Sequence, residues 1–192
     1  INEADFEDIR VIVYSQAKKT GIKKAPDITE IAISGNKADK LKFVKENLAR
    51  EISAAEVFAK GLVDIRGLTI GKGNQGAVKR FGIDLRQHKS EKGVRRVGSV
   101  GAWHPTGVKF RVPRMGQMGF HSRIVYNGQV IAVKKAGEAK LTNIVNYGDV
   151  NIDYIVLRGS VQGPKKRQLL LTPALRPTKK QAKQNYELIE LR

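Results

Sequence analysis

Gly71-Lys72-Gly73-Asn74-Gln75-Gly76 has the spacing of a loop that cradles phosphates. A G-x-G-x-x-G pattern after a strand holds a pyrophosphate only when a helix follows, because the helix N-terminus aims free N–H groups at the anion. Here Ala77 to Gly82 soon meets another glycine and shows no helical face. About twenty residues on, where an acidic residue would bind a ribose hydroxyl, stand Arg95, Arg96 and Gly98. A Walker loop fails as well: Gly67 and Gly71 are too close, and Gly73 follows Lys72 where Ser or Thr is required. A glycine-rich bend whose bare backbone and Lys72 approach phosphates fits better. A nucleotide-binding enzyme using Gly71–Gly76 stays as the alternative.

His88, His104 and His121 are the three histidines. Spaced 16 and 17 apart, they match no common metal-ligand pattern, and only Asp84 and Glu91 are acidic within 76–123. No metal site is expected. Ser122 beside His121 lacks a nearby acidic orienter, so nucleophilic catalysis is not expected. The strongest local signal is Arg95-Arg96-Val-Gly-Ser-Val-Gly-Ala-Trp103-His104-Pro105, which holds the only tryptophan. Its flanks, Gly101-Ala102 and His104-Pro105, indicate a tight turn at a loop tip. An indole there can stack on bases rather than fill a core.

The elements around these residues carry an uneven charge. The 192 residues hold 36 Lys+Arg against 18 Asp+Glu, a net of +18. Residues 1–60 contribute +1, residues 61–135 contribute +12 and residues 136–192 contribute +5. Self-repulsion of this size calls for an anionic partner, with nucleic acid ahead of a membrane surface. Apolar residues at 41% leave room for a core. Cysteine is absent, which removes disulfides and thiolate chemistry and suits a reducing compartment. No apolar run approaches the roughly 18 residues of a membrane span. Ile1 to Arg10 is acidic, without initiator Met or signal pattern, and the chain is expected to be processed or a fragment.

Ile28 to Ile33 reads as a strand, and Ala38, Leu41, Val44 and Leu48 follow helical spacing behind an Asn36 cap over about 37–50. Ser53-Ala-Ala-Glu56 fits a capping box for a second helix stopping at Gly61. Leu62 to Ile70 is strand-like. From Gly71 to Arg123 no period is sustained, and ten glycines fall within 71–119. So long an irregular stretch is expected to reach out to a partner that orders it. Strands return at Gln129–Val133, Leu141–Val145, Asp153–Leu157 and Gln168–Leu171, spaced as in a small barrel or sandwich. The tail, 178–192, could be a helix capped at Thr178 or an edge strand over Tyr186–Leu191.

Gly71-Lys-Gly-Asn-Gln-Gly76, Lys79-Arg80-Phe-Gly82, Gly98-Ser-Val-Gly-Ala-Trp-His-Pro105, Gly116-Gln-Met-Gly-Phe-His121 and the segment Asp153 to Arg167 occur in this order. Together they resemble the large-subunit ribosomal protein L-three family, in its archaeal and eukaryotic form, over about Ile28 to Pro177. The resemblance implies a mainly β fold with short helices, a translation-protein-type β-barrel carrying a long basic extended loop. It implies one domain: barrel over about 24–75 and 124–177, a helical insert near 37–60, the RNA-binding loop at 76–123 and a tail at 178–192. In the family a basic tail and early strands precede the matched region, and this chain starts after them.

The function implied is a non-enzymatic constituent of the large ribosomal subunit in the cytoplasm. It would bind ribosomal RNA, support subunit assembly and reach toward the peptidyl-transferase centre with Trp103 at the loop tip. Expected partners are large-subunit ribosomal RNA and neighbouring large-subunit proteins, with no membrane, cofactor, metal or small-molecule substrate. The RNA-binding residues expected are Lys72, Lys79, Arg80, Arg86, His88, Lys89, Lys92, Arg95, Arg96, Trp103, His104, Lys109, Arg111, Arg114, Gln117, His121, Arg123, Lys165, Lys166 and Arg167. A free RNA chaperone is the weaker alternative.

Overall fold

The structure, a computed structural model, describes residues 6–58, 61–89, 92–137 and 141–189. In chain order its elements are β1 (Arg10–Tyr14), α1 (Ala17–Thr20), β2 (Ile28–Ala32), α2 (Lys37–Asn47), α3 (Ala54–Val57), β3 (Gly61–Leu68), β4 (Asn74–Gln75) and α4 (Ala77–Phe81). Then come β5 (Gly116–Gln117), β6 (Ser122–Lys134), β7 (Leu141–Ile144), β8 (Gly148–Val150), β9 (Tyr154–Leu157), β10 (Leu170–Pro173) and α5 (Lys179–Ala182). Two compact units result: residues 1–65, 124–161 and 165–192 in the first, residues 66–123 and 162–164 in the second.

The mainly β character agrees with the sequence. The strands form one four-stranded sheet, ordered β10-β3-β6-β9, and three two-stranded ribbons, β1-β2, β4-β5 and β7-β8. The expected barrel is not closed among the described residues. Strands β9 and β10 have four residues each and stand at the two edges of the sheet.

The core of the first unit is small. Val63, Ile65 and Val130 are buried, with Phe58, Val125, Val133, Ile155, Leu157, Leu169 and Leu171 packed around them. Val63, Asp64 and Ile65 are buried in succession. Neighbouring side chains of a strand point to opposite faces, so β3 is covered on both. Its second face carries Asp64, 1% exposed. One carboxylate oxygen accepts from the Asn127 N–H at 3.0 Å, the other from the Leu175 N–H at 3.1 Å. This buried charge is satisfied by backbone donors, as burial requires. Asn127 adopts a left-handed conformation at φ 56°. Gly128 then lets β6 approach β3: a Cβ there would lie 2.9 Å from Ile65 Cδ1.

Several elements differ from expectation. Helix α2 ends at Asn47, buries none of its residues and has no side-chain cap from Asn36. Ser53 Oγ accepts from the Ala55 N–H at 3.3 Å, but the reciprocal half of a capping box is not made. The Glu56 carboxylate accepts from Arg50 at 2.7 Å instead, and α3 stops at Val57, short of Gly61. The Ser53 hydroxyl also donates to Asp153 at 2.6 Å, and the Ala136 N–H donates to the other Asp153 oxygen at 2.9 Å. The hydroxyl thus accepts at the start of α3 and donates to a residue a hundred positions away. Strand β1 was not anticipated; it pairs antiparallel with β2 from Arg10↔Ala32 to Tyr14↔Ile28. The tail forms the short α5 after Thr178, and no strand is assigned over Tyr186–Ile189, the rest of that stretch lying outside the described residues.

Asp64→Ala removes the acceptor of the half-buried Asn127 N–H and of the Leu175 N–H, and is expected to cost about 1.5–3 kcal/mol, the range for a hydrogen bond to a charged group. Denaturant unfolding of the chain checks this; a loss below about 1 kcal/mol would show that water replaces the carboxylate. The Asp153 carboxyl is held below its ordinary value of 3.8, first by the Ser53 hydroxyl and then by the Ala136 N–H. A depressed folded value gives stability that is present above pH 3.8 and is lost as pH falls through the lowered value. Asp153→Asn should therefore flatten the acid limb of a stability–pH curve, and an unchanged limb would remove Asp153 from acid unfolding.

Candidate nucleic-acid interface

The second unit holds 13 Lys+Arg against two acidic residues over 66–123, a net of +11. Asp84 is its one carboxylate among the described residues. The ion pairs at Arg10, Lys19, Lys23, Lys40 and Arg50 all lie within residues 8–56.

A backbone clasp closes the neck of this unit. The Thr69 N–H donates to the His121 carbonyl at 3.0 Å, and the His121 N–H donates to Thr69 Oγ1 at 3.1 Å. The Lys72 N–H donates to the Met118 carbonyl and the Met118 N–H to the Gly73 carbonyl, both at 2.9 Å. Ribbon β4-β5 continues the pairing through Asn74↔Gln117 and Gln75↔Gly116. Gly119 makes the clasp possible: at φ +73° an added Cβ would fall 2.0 Å from the Ile70 carbonyl oxygen. Glycine alone tolerates both the conformation and the approach.

Within the Gly71–Gly76 bend the Lys72 N–H is engaged with Met118 and is closed to a phosphate. A helix does follow, contrary to the sequence expectation. Helix α4 has only five residues, closed by Gly82 in a left-handed conformation whose N–H donates to the Val78 carbonyl. One turn between two glycines leaves no periodic face to detect.

Inside the unit the expected RNA-binding residues separate into two kinds. Arg80, Arg86 and Gln117 are turned toward the protein. Arg80 donates to the Arg114 carbonyl at 3.0 Å, lies 5.0 Å from the centre of the Phe81 ring and covers Gly116. Arg86 donates through its guanidinium to the Val97 carbonyl, while its N–H donates to the Val94 carbonyl at 3.0 Å. Gln117 donates to the Met118 and Gly119 carbonyls at 3.3 and 3.2 Å. His121 serves the clasp through its backbone, and Arg123 donates to the Ser122 carbonyl at 3.0 Å.

Lys72, Lys79, Lys89, Lys92, Arg95, Arg96, Lys109, Arg111 and Arg114 present exposed side chains, as does His88. Lys165, Lys166 and Arg167 belong to the first unit and not to this one. Among the described residues no group of three His, Asp or Glu is placed to hold a metal ion.

The tip is the barest part. Every residue from 101 to 110 is exposed, Trp103 at 83% and Phe110 completely. Trp103 is thus no core residue. Its ring meets His104 edge-on, with centroids 6.2 Å apart at 88°. The two arms of the tip touch at Gly101, where a Cβ would lie 2.6 Å from the Gly107 carbonyl oxygen. Phe110 was missed in the sequence, although an aromatic between Lys109 and Arg111 is the pattern of a stacking platform among phosphate contacts.

Gly119→Ala is expected to open the clasp. Hydrogen exchange should show lost protection at the Lys72 and Met118 amides with Val130 unchanged. Retained protection at both amides would mean that the neck is held by something other than this close approach.

The sequence profile of the family described as Ribosomal protein L3 matches residues 3–192. The large ribosomal subunit protein uL3 of Methanopyrus kandleri is 40% identical, over 93% of this chain and 52% of its own length. Those of Methanocaldococcus jannaschii and Nanoarchaeum equitans are each 43% identical, over 90% and 100% of this chain and 53% and 60% of their own lengths. The chain spans between half and three-fifths of these relatives. The family is structural and not enzymatic. With the profile matched over residues 3–192 and archaeal relatives 40–43% identical over most of the chain, the chain belongs to the ribosomal protein L3 family.

Proposed function

We propose that this chain is a structural constituent of the large ribosomal subunit, that it binds large-subunit ribosomal RNA through residues 66–123, and that it supports subunit assembly. Trp103 is carried inward at the loop tip toward the peptidyl-transferase centre. Neighbouring partners are the RNA and other large-subunit proteins, and the site of action is the ribosome in the cytoplasm. No described helix is long and apolar enough to cross a membrane.

One observation carries this function: an exposed indole and an exposed phenyl stand on a bare tip within a unit of net charge +11. Exposed aromatics among cations have no apolar core to join. They fit bases, which offer a π-face, while Lys and Arg neutralise the phosphates and release their counterions. The clasp at Gly119 fixes the neck, and the cations beyond it supply attraction largely independent of base sequence. Membership of the ribosomal protein L3 family supports the choice of ribosomal RNA over other nucleic acids. The work is positioning, with no bond made or broken.

Equilibrium binding of the chain to large-subunit ribosomal RNA over a salt series tests this. Alanine at Lys79, Arg95, Arg96, Lys109, Arg111 or Arg114 should shallow the log–log salt slope by about 0.7–0.9 per residue. Trp103→Ala should weaken binding by about 1–3 kcal/mol with the slope unchanged and the melting temperature unchanged. A fall in stability of about 3–5 kcal/mol, the cost of losing a core Trp, would contradict the assignment of Trp103. Saturable ATP or NAD binding lost on substituting Lys72 would favour the nucleotide enzyme instead.

A further inference from the structure

We propose that the C-terminal segment forms a second RNA surface, separate from residues 66–123, in which Arg158, Arg176, Lys179, Lys180 and Lys183 take up the phosphate backbone. It rests on the ribosomal RNA function above and extends it to the first unit. From residue 154 to 186 the chain carries eight basic residues and no acidic one.

The segment is anchored at several points. The Leu175 N–H donates to Asp64 at 3.1 Å. Asn127 Nδ2 donates to the Thr178 hydroxyl at 3.2 Å, and Gln129 Nε2 donates to the Gln184 carbonyl at 2.5 Å. The Arg158 guanidinium donates to the Tyr186 hydroxyl and lies 4.6 Å from the centre of its ring. That hydroxyl donates in turn to Gln184 Oε1 at 2.9 Å. The Arg158 N–H donates to the Gln129 carbonyl at 2.9 Å, so the strand end bearing Arg158 and the tail meet at the same turn, residues 127–129.

The anchors use Thr178, Gln184 and Tyr186 and leave the cations between them outward. Arg176, Lys179, Lys180 and Lys183 are exposed and enter none of the ion pairs among the described residues. Asp64 is buried with both oxygens on backbone donors, and Glu187 comes after the last anchor. A protein partner would need an apolar centre to desolvate. The large exposed apolar residues of the tail, Leu175, Tyr186 and Ile189, are spaced along the sequence, and Tyr186 is engaged by Arg158. Cations held on a fixed segment, with Arg158 oriented by Tyr186, fit a chain of phosphates.

The test compares two triple variants of the whole chain on large-subunit ribosomal RNA over a salt series. Lys179→Gln/Lys180→Gln/Lys183→Gln removes the surface; Lys18→Gln/Lys42→Gln/Lys45→Gln removes equal charge elsewhere. Both should melt as the wild type does. The first should shallow the salt slope by about 2, at roughly 0.7 per lost contact, and the second should leave it unchanged. An unchanged slope in the first variant, or an equal change in both, overturns the surface and leaves residues 66–123 as the RNA-binding unit. Failure of the wild type to bind overturns the ribosomal function and this surface with it.

Discussion

Each cation on residues 66–123 repels its neighbours, and Asp84 is the only described carboxylate there to offset them. A net charge of +11 in one unit opposes its own compaction unless anions stand close by. The unit meets that constraint with backbone and not with a core. Its buried apolar residue among those described is Ala77, and it is held by the clasp at residues 69–73 and 118–121 and by arginines turned onto carbonyls. Arg80 and Arg86 show the division of labour: each gives its guanidinium to a carbonyl of the loop, which shapes the loop and leaves other cations outward. Glycine at 101, 116 and 119 lets chains and guanidiniums approach where a Cβ would collide.

The first unit solves a different problem. Its charge is close to balanced over residues 1–60, and its ion pairs lie there. Its sheet is built on a short apolar cluster and on Asp64, whose carboxylate ties the Asn127 turn to the backbone after β10. A buried charge with two backbone donors specifies a register that apolar packing of three residues would define poorly.

Strands β2, β3, β6, β7, β9 and β10 and helix α2 were legible because apolar residues recur with the right period and turn residues bound them. The length of β6 was not: Ser122–Gly128 lacks an alternating pattern, and pairing in the sheet extends it. Strand β1 alternates in its burial, yet only its partner β2 distinguishes Arg10–Tyr14 from other short apolar runs. The capping box at Ser53 is only half made because the Glu56 carboxylate pairs with Arg50 and does not turn back to the Ser53 N–H. In the interface the exposed tip around Trp103 was legible from its glycines and charge. The inward roles of Arg80, Arg86 and Gln117 were not, since their acceptors are backbone carbonyls that every residue type supplies.

Ultraviolet cross-linking of intact large subunits containing this chain, with the linked peptides identified by mass spectrometry, addresses the central claim most directly. RNA adducts should concentrate on peptides covering residues 79–115 and include one at Trp103 or Phe110. Adducts absent from those peptides while other subunit proteins carry them, or Trp103 found linked only to protein, would contradict the account.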